Sequence, residues 1–155
     1  MLTNLPKTQH PATITQHPTP NTMISKVTYL GDLRTSSIHL QSGSEIISDA
    51  PLDNNGKGEA FSPTDTVANA LASCMMTVMG IKARDLNLDF TGSTAAVTKI
   101  MQAEPRRINA IEIVFDMNIA TDEKTKTILE RTAMTCPVFL SLNTEIEKRI
   151  RFNWL

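Results

Sequence analysis

The sequence is poor in cysteine, histidine and aromatic residues. Of its 155 residues, two are cysteines and three are histidines, and aromatic residues make up 5%. Two cysteines are too few for the disulfide framework of a small secreted protein. The length is sufficient for a domain that buries a core without such cross-links. We therefore expect one folded domain in a reducing, cytoplasmic setting.

An excess of charge of one sign and a long apolar run are also missing. Lysine and arginine number 15 against 16 acidic residues, which gives a formal net charge of −1. Nucleic-acid binding needs a broad electropositive surface, and the basic residues here are scattered apart from Arg106 and Arg107. No apolar run is long enough to cross a bilayer, and the N-terminus lacks the pattern of a secretory signal. The composition thus predicts neither a nucleic-acid partner nor a membrane association.

The N-terminal segment differs in composition from the rest of the chain. Residues 1–22 hold four of the eight prolines and two copies of TQHP, with almost nothing large to bury. We interpret them as a flexible extension that precedes a folded domain of residues 23–155. His10 and His17 have no carboxylate or thiol beside them, so the sequence predicts no metal site there.

His39 is the one histidine in the predicted domain. We expect it to lie on a strand with its ring satisfied by a local hydrogen bond. A single histidine also disfavours a hydrolase of the Ser-His-Asp or Cys-His kind.

The predicted elements alternate between strands and helices. Period-two patterns and turn residues predict strands at 24–30, 35–41, 89–101, 108–119 and 144–155, a loop at 50–61, and helices at 62–86, from 121, and after Pro137. On strand 108–119, alternation places Ile111, Ile113, Phe115, Met117 and Ile119 on one face. This order predicts an α+β fold in which helices pack on antiparallel sheets.

The strongest predicted element is the long helix of residues 62–86. Ser62 is a good N-cap, Pro63 suits the first helical position, and Asp65 lies in the first turn, where a carboxylate meets the positive end of the helix dipole. The helix is then apolar on nearly every face until Lys82. This pattern is typical of a central, buried helix.

The two cysteines occupy different predicted environments. Cys74 lies in the middle of the long helix among apolar neighbours, which favour a neutral thiol or a purely structural role. Cys136 precedes Pro137 at the predicted start of a short helix, where free backbone N–H groups favour a thiolate. Without a CxxC motif or a histidine cluster, zinc is disfavoured. Reversible dithiol and disulfide chemistry remains, provided that the fold brings the sulfurs together.

The segment GKGEAFSPTDTVANALASCMMTVMGI (56–81), together with TCPV (135–138), resembles the OsmC/Ohr family of osmotically inducible and organic hydroperoxide resistance proteins. The resemblance covers about residues 24–155. It implies an α+β fold and an intertwined homodimer, in which antiparallel sheets wrap two long central helices. It also implies active sites at the subunit interface.

The family's peroxidase members use two cysteines, and the resemblance assigns both roles here. Cys74 would attack a hydroperoxide and become a sulfenic acid, and Cys136 would resolve it as a disulfide. A small dithiol such as a lipoyl group would restore the pair, so no bound cofactor is implied. The expected partners are a small hydroperoxide, a dithiol reductant and a second copy of the chain.

Arg34 is the candidate for the cation that activates the peroxidatic cysteine. In the family an arginine early in the chain, just after a glycine-containing turn, has this role, and YLGDLRTSS places Arg34 near that register. Its plainer interpretation is a solvated strand arginine. Arg84 lies two to three turns from Cys74 on the same helix, and Arg106 and Arg107 are better explained as turn charges.

The helix start departs from the family pattern at one position. Family peroxidases carry a glutamate directly after the proline, where it holds the arginine, whereas this chain has Thr64. Asp65 or Glu59 are the two candidates to replace that glutamate. The sequence in this respect resembles a branch with the SPTD form.

Two functions are therefore predicted as alternatives. The first is a cytoplasmic thiol peroxidase that reduces organic hydroperoxides to alcohols, with Cys74, Cys136 and Arg34 as its catalytic residues. The second is a non-catalytic OsmC-like dimer that binds an apolar small molecule at its interface, in which the cysteines serve for packing or as a redox latch.

Overall fold

The structure is a computed structural model that describes residues 23–155. The predicted extension, with His10 and His17, lies outside the described residues. The elements in chain order are β1 (Ser25–Gly31), β2 (Arg34–His39), β3 (Glu45–Asp49), α1 (Pro63–Asp85), β4 (Thr94–Gln102), β5 (Arg107–Met117), α2 (Glu123–Ala133), α3 (Pro137–Ser141) and β6 (Glu147–Trp154).

The strands form two three-stranded sheets, and the predicted α+β fold is confirmed. The N-terminal sheet has the order β1-β2-β3 and is antiparallel throughout. The C-terminal sheet has the order β4-β5-β6. Within it, β4 is antiparallel to β5 but β6 is parallel to β5, which corrects the expectation of purely antiparallel sheets. The chain makes this parallel connection by crossing over through α2 and α3.

One strand is absent from the sequence prediction, and another begins five residues later than predicted. Strand β3 was not predicted, because its adjacent apolar pair Ile46 and Ile47 breaks the alternation that marks a half-buried strand. Strand β4 begins at Thr94 instead of residue 89. The Asp89 carboxylate there accepts the backbone N–H of Thr91 at 2.8 Å, and this local hydrogen bond stabilises a turn before the strand.

Helix α1 begins as its sequence predicts. The Ser62 hydroxyl accepts the N–H of Asp65 at 3.1 Å, and the Asp65 carboxylate accepts the N–H of Ser62 at 2.8 Å. This reciprocal pair is a capping box, and Pro63 occupies the first turn. The helix therefore has a firmly defined start at the end of the loop that leaves the N-terminal sheet.

The core lies between α1 and the C-terminal sheet. The predicted inward face of β5 is confirmed, with Ile111, Ile113 and Phe115 all fully buried. It packs against a buried stripe of α1 with helical spacing, which consists of Ala68, Leu71, Ala72, Met75, Met79 and Ala83.

The opposite side of α1 is not covered within the chain. Val67 and Ile81 remain 37% and 50% exposed, although the sequence predicts burial on nearly every face. Helix α1 is also the one helix of the described residues that is long and apolar enough, by length and composition, to cross a membrane. The core helix of a soluble protein passes the same test, and α1 has a buried stripe along one side.

Candidate functional site

Cys136 lies where the sequence predicts it, at the N-cap of α3. Its backbone is extended, Pro137 follows in the first turn, and its Sγ accepts the backbone N–H of Phe139 at 3.2 Å. The residue is fully buried, with 0% of its surface exposed. The break between α2 and α3 thus holds a thiol inside the core.

Burial decides the protonation state of Cys136. Removal from water raises the pKa of this thiol above its ordinary value, and the N–H of Phe139 only partly opposes that effect. The neighbouring Cys74 side chain raises the pKa of Cys136 further. The cap alone favours a thiolate, as the sequence indicates, but desolvation outweighs it. Cys136 is therefore a neutral thiol near neutral pH.

The structure brings the two cysteines together. Cys74 packs against the buried cluster that contains Cys136, and it lies close enough to raise the pKa of the Cys136 thiol. Cys74 itself is partly exposed, whereas Cys136 is buried. Helices α1 and α3 thereby place one accessible thiol beside one enclosed thiol, and this arrangement suits a pair that exchanges between dithiol and disulfide.

Arg34 begins β2 and is held by two carboxylates. Its Nη2 lies 3.0 Å from Oδ2 of Asp49 and 2.5 Å from Oε2 of Glu59. Asp49 is its direct neighbour across β2 and β3, and Glu59 lies on the loop before α1. The hydrogen bond that Arg34 donates to Asp49, and to a lesser extent the one it donates to Glu59, raise the pKa of the guanidinium above its ordinary value. Arg34 is consequently a fixed cation instead of a solvated strand arginine.

Of the two candidates for the missing glutamate, Glu59 is the one that contacts Arg34. Asp65 is occupied elsewhere, because its Oδ1 lies 2.6 Å from Nζ of Lys99 and its carboxylate also caps α1. Lys99 further donates to the hydroxyl of Thr64 at 2.8 Å. Thr64, which stands at the position of the family glutamate, therefore links α1 to β4 through Lys99.

Asp49 is a residue of the candidate site that the sequence did not reveal. It is the last residue of β3, and its carboxylate is buried against Arg34. The signal was weak, because recognition of Asp49 required both the prediction of β3 and its register against β2. An acidic residue at the end of a strand is otherwise unremarkable in sequence.

Within residues 23–155, no hydrogen bond or ion pair joins Arg34 to either thiol. The strands of the N-terminal sheet make their main contacts with one another, while α1 contacts α2, α3 and the C-terminal sheet. The single chain therefore brings Cys74 and Cys136 together but gives Arg34 no polar contact with either thiol within residues 23–155. Its role toward Cys74 stays a prediction.

The other arginines that the sequence raises have structural partners or positions. Arg106 pairs with Asp53 at 3.1 Å, and Arg107 pairs with Glu145. Arg84 is an exposed residue in the last turn of α1, where a cation complements the helix dipole. His39 is exposed on β2, with its Nδ1 at 2.7 Å from the hydroxyl of Ser42, as a satisfied strand histidine requires.

A cavity of about 450 Å³ opens beside the start of α1. Its walls are the loop residues 58–61, then Asp65, Ala68 and Asn69 in the first turns of α1, and Val97 and Lys99 of β4. The walls combine apolar surface with the charges of Glu59, Asp65 and Lys99. The cavity is therefore adjacent to the carboxylate that holds Arg34. In the described residues, no group of three or more His, Cys, Asp or Glu side chains is arranged to hold a metal ion.

Solved structures with the same fold come from several bacteria. A protein of Psychrobacter arcticus 273-4, provisionally described as an osmotic stress induced and detoxification response protein, is 54% identical over 87% of this chain and 98% of its own, with a TM-score of 0.84. The organic hydroperoxide resistance protein OsmC of Legionella pneumophila is 13% identical over 88% of this chain and 99% of its own, with a TM-score of 0.66. The organic hydroperoxide resistance protein OhrB of Bacillus subtilis is 14% identical over 84% of this chain and 98% of its own, with a TM-score of 0.61.

No curated protein sequence matches the chain. The family model described as OsmC-like protein, in contrast, matches residues 56–151. This match includes all of α1, both cysteines and the C-terminal sheet up to Arg151. It agrees with the similarity of the whole described fold to solved OsmC and organic hydroperoxide resistance proteins. The chain belongs to the OsmC-like protein family.

Proposed function

We propose that the protein is a thiol peroxidase that reduces organic hydroperoxides to alcohols. The observation that carries the proposal is the proximity of a partly exposed Cys74 to a buried, neutral Cys136. A peroxidatic thiol must be reached by substrate, and a resolving thiol must stay close and unreacted until the first one is oxidised. The relative from Psychrobacter arcticus, which is provisionally described as a detoxification response protein, supports the same class of activity.

The reaction proceeds in three balanced steps. The Cys74 thiolate attacks the terminal oxygen of ROOH, the O–O bond breaks, and the products are Cys74 sulfenic acid and the alkoxide RO⁻, which takes a proton to become ROH. The Cys136 thiol then displaces the hydroxyl of the sulfenic acid, which forms the Cys74–Cys136 disulfide and releases water. A small dithiol of the lipoyl kind reduces the disulfide by exchange and leaves as its own cyclic disulfide.

Arg34 stabilises the thiolate and the developing alkoxide in this proposal. A guanidinium keeps its charge at any physiological pH and offers several N–H donors, which suits both tasks. Asp49 and Glu59 each bond to Nη2 of Arg34, and Nε and Nη1 make no hydrogen bond within residues 23–155. Three N–H donors of Arg34 are consequently free for a sulfur and a peroxide oxygen.

A second copy of the chain supplies the missing contact between Arg34 and Cys74. The uncovered side of α1, which includes Val67 and Ile81, gives each copy an apolar surface that is costly to leave in water. The N-terminal sheet also exposes Val27, Tyr29 and Ile46 on one face. A homodimer that covers these surfaces and sets the N-terminal sheet of one copy against α1 of the other completes the site. A reducing compartment such as the cytoplasm suits the free thiols.

The proposal is tested by the consumption of cumene hydroperoxide with dihydrolipoamide as the reductant. Turnover is expected for the native protein and is lost in Cys74→Ser. Cys136→Ser is expected to consume one equivalent of peroxide and then stop, because the sulfenic acid has no resolving partner. Absence of turnover in the native protein with both thiols reduced would contradict the proposal.

The cavity beside α1 favours one alternative, a dimer that binds an apolar small molecule without catalysis. Its volume of about 450 Å³ lies within the usual range of small-molecule sites, and the exposed Phe61 contributes apolar surface. This alternative predicts that a lipid co-purifies with the protein and that Cys74→Ser retains it. Peroxide turnover without a bound lipid would favour the peroxidase.

A further inference from the structure

Asp49 is a carboxylate that the protein encloses completely. Its side chain is 0% exposed, and a buried carboxylate is unfavourable unless charges or hydrogen bonds compensate it. Oδ2 accepts from Nη2 of Arg34 at 3.0 Å and from the backbone N–H of Glu59 at 3.1 Å. Oδ1 has no hydrogen-bond partner within residues 23–155. Such an arrangement is poorly explained by stability alone.

The contacts of Asp49 form a closed triangle. Asp49 bonds to the guanidinium of Arg34 and to the backbone of Glu59, and the Glu59 carboxylate bonds to the same Nη2 of Arg34. Asp49 therefore fixes Arg34 directly and also fixes the loop that carries the second carboxylate. Three separate elements, β2, β3 and the loop before α1, meet at this one side chain.

The two carboxylates of the triangle differ in how firmly they hold the arginine. The Glu59 side chain is 61% exposed, so solvent and salt screen its attraction to Arg34. The Asp49 side chain is enclosed, and Arg34 lies directly opposite it across the strand pair. Asp49 is thus the fixed anchor of the guanidinium, and Glu59 is its exposed second partner.

We propose that Asp49 is a positioning residue for the peroxidase reaction. Asp49 occupies Nη2 of Arg34, so that the Nε and Nη1 donors stay available for the Cys74 sulfur and the hydroperoxide. This inference rests on the proposed function. Asp49 acts through Arg34 and does not touch the sulfur or the substrate. Loss of its charge should therefore act only where Arg34 is present.

Asp49→Asn is the central variant, because it keeps the shape and an acceptor oxygen but removes the charge. The measurement is the pH at which alkylation of Cys74 by iodoacetamide reaches half of its maximal rate, followed at residue 74 by peptide mass spectrometry. We expect this pH to rise, because a loosened guanidinium stabilises the thiolate less. Removal of a negative charge without any change in position would lower it instead. The sign of the change thus separates positioning from simple charge removal.

Three further variants complete the test, and a fourth replaces Asp49→Asn if that protein does not fold. Glu59→Gln, which neutralises the exposed partner, should raise the half-maximal pH less than Asp49→Asn. Arg34→Met should raise it most, and Asp49→Asn added to Arg34→Met should change it no further. If Asp49→Asn does not fold, Asp49→Glu keeps the charge, displaces the guanidinium, and should raise the half-maximal pH in the same direction.

In the peroxide assay, Asp49→Asn should lower kcat/KM by about a hundredfold, the usual scale for a misplaced reacting group. If the half-maximal pH is unchanged or lowered in Asp49→Asn but raised in Arg34→Met, the proposed role of Asp49 is overturned, while the proposed role of Arg34 stands. An unchanged profile in Arg34→Met would instead remove the role of Arg34 from the proposed function. Alkylation requires no turnover, so the two failures are distinguishable.

Discussion

Nζ of Lys99 on β4 lies 2.6 Å from Oδ1 of Asp65 in the first turn of α1. The Lys99 side chain is 14% exposed and the Asp65 side chain is 38% exposed, so water reaches this ion pair mainly from the carboxylate side. Burial by itself raises the pKa of Asp65, but hydrogen bonds from Lys99 and Ser62 outweigh it, and the net pKa is lowered from the ordinary 3.8. The start of α1 is therefore fastened to the C-terminal sheet through a charged pair.

The lowered pKa of Asp65 predicts a dependence of stability on acid. Because the folded state holds the ionised form more strongly, the contribution of Asp65 is fully present above the ordinary pKa of 3.8 and is lost as the pH falls through the lower folded value. Asp65→Asn should be less stable than the native protein near neutral pH by about 1 kcal/mol. In urea unfolding measured at successively lower pH, this difference should vanish.

Asp85→Asn is the matched control for Asp65→Asn. It removes a carboxylate from the opposite end of α1, where a negative charge is unfavourable to the helix dipole. It should not destabilise the protein near neutral pH. A loss of stability equal to that of Asp65→Asn would contradict the account of the helix start.

Ser62→Ala should destabilise the protein through loss of the N-cap. The Ser62 hydroxyl accepts the N–H of Asp65, and Ser62 is almost fully buried. In the variant, the N–H of Asp65 therefore loses this acceptor where water has little access to replace it. We expect a loss of about 1 to 2 kcal/mol in the free energy of unfolding. Ser73→Ala, on the side of the same helix that the chain leaves uncovered, should leave stability nearly unchanged, because the Ser73 hydroxyl makes no hydrogen bond within residues 23–155 and alanine suits a helix interior. Equal losses of stability in the two variants would contradict the capping role of Ser62.

The two thiols should react in a fixed order. Cys136 is buried and its pKa is raised above the ordinary 9.0, so its thiolate is scarce until the pH exceeds that value. Iodoacetamide added to the reduced protein near neutral pH should modify Cys74 first and Cys136 many times more slowly, as followed by peptide mass spectrometry. In urea the difference should disappear. Faster modification of Cys136 in the folded protein would show that it is the exposed nucleophile.

The proposed dimer makes Ile81 an interface residue. Ile81→Glu places a charge on the uncovered apolar side of α1, where a partner copy would bury it. Light scattering with size-exclusion chromatography should show a dimer for the native chain and a shift toward monomer for Ile81→Glu. Lys124→Glu on the exposed polar side of α2 should remain dimeric. A monomeric native protein would contradict the shared site.

Local sequence predicted those parts of the fold whose causes are local. The start of α1 follows from Ser62, Pro63 and Asp65, and the position of Cys136 follows from Pro137, because caps and proline act within a few residues. The buried face of β5 follows from strict alternation along one strand. The same alternation predicted strand β6, but it carries no information on strand direction. The parallel pairing of β6 with β5 was therefore missed.

Properties that depend on distant residues were not predictable in the same way. Asp49 and Arg34 are adjacent only because β2 and β3 pair in a particular register, and β3 has no clear sequence signal. The raised pKa of Cys136 depends on burial by the whole core, which outweighs the cap that the sequence does reveal. Which of Glu59 and Asp65 contacts Arg34 was decided by Lys99, a residue on another strand.

The most direct test of the account is the redox state of the cysteines after one equivalent of cumene hydroperoxide is added to the reduced protein. Peptide mass spectrometry without reduction should show a single cross-linked species that joins the peptides of Cys74 and Cys136, with the loss of two hydrogen atoms. Dihydrolipoamide should restore both thiols. Persistence of a free Cys136 beside an oxidised Cys74, or of two free thiols, would contradict the proposed cycle.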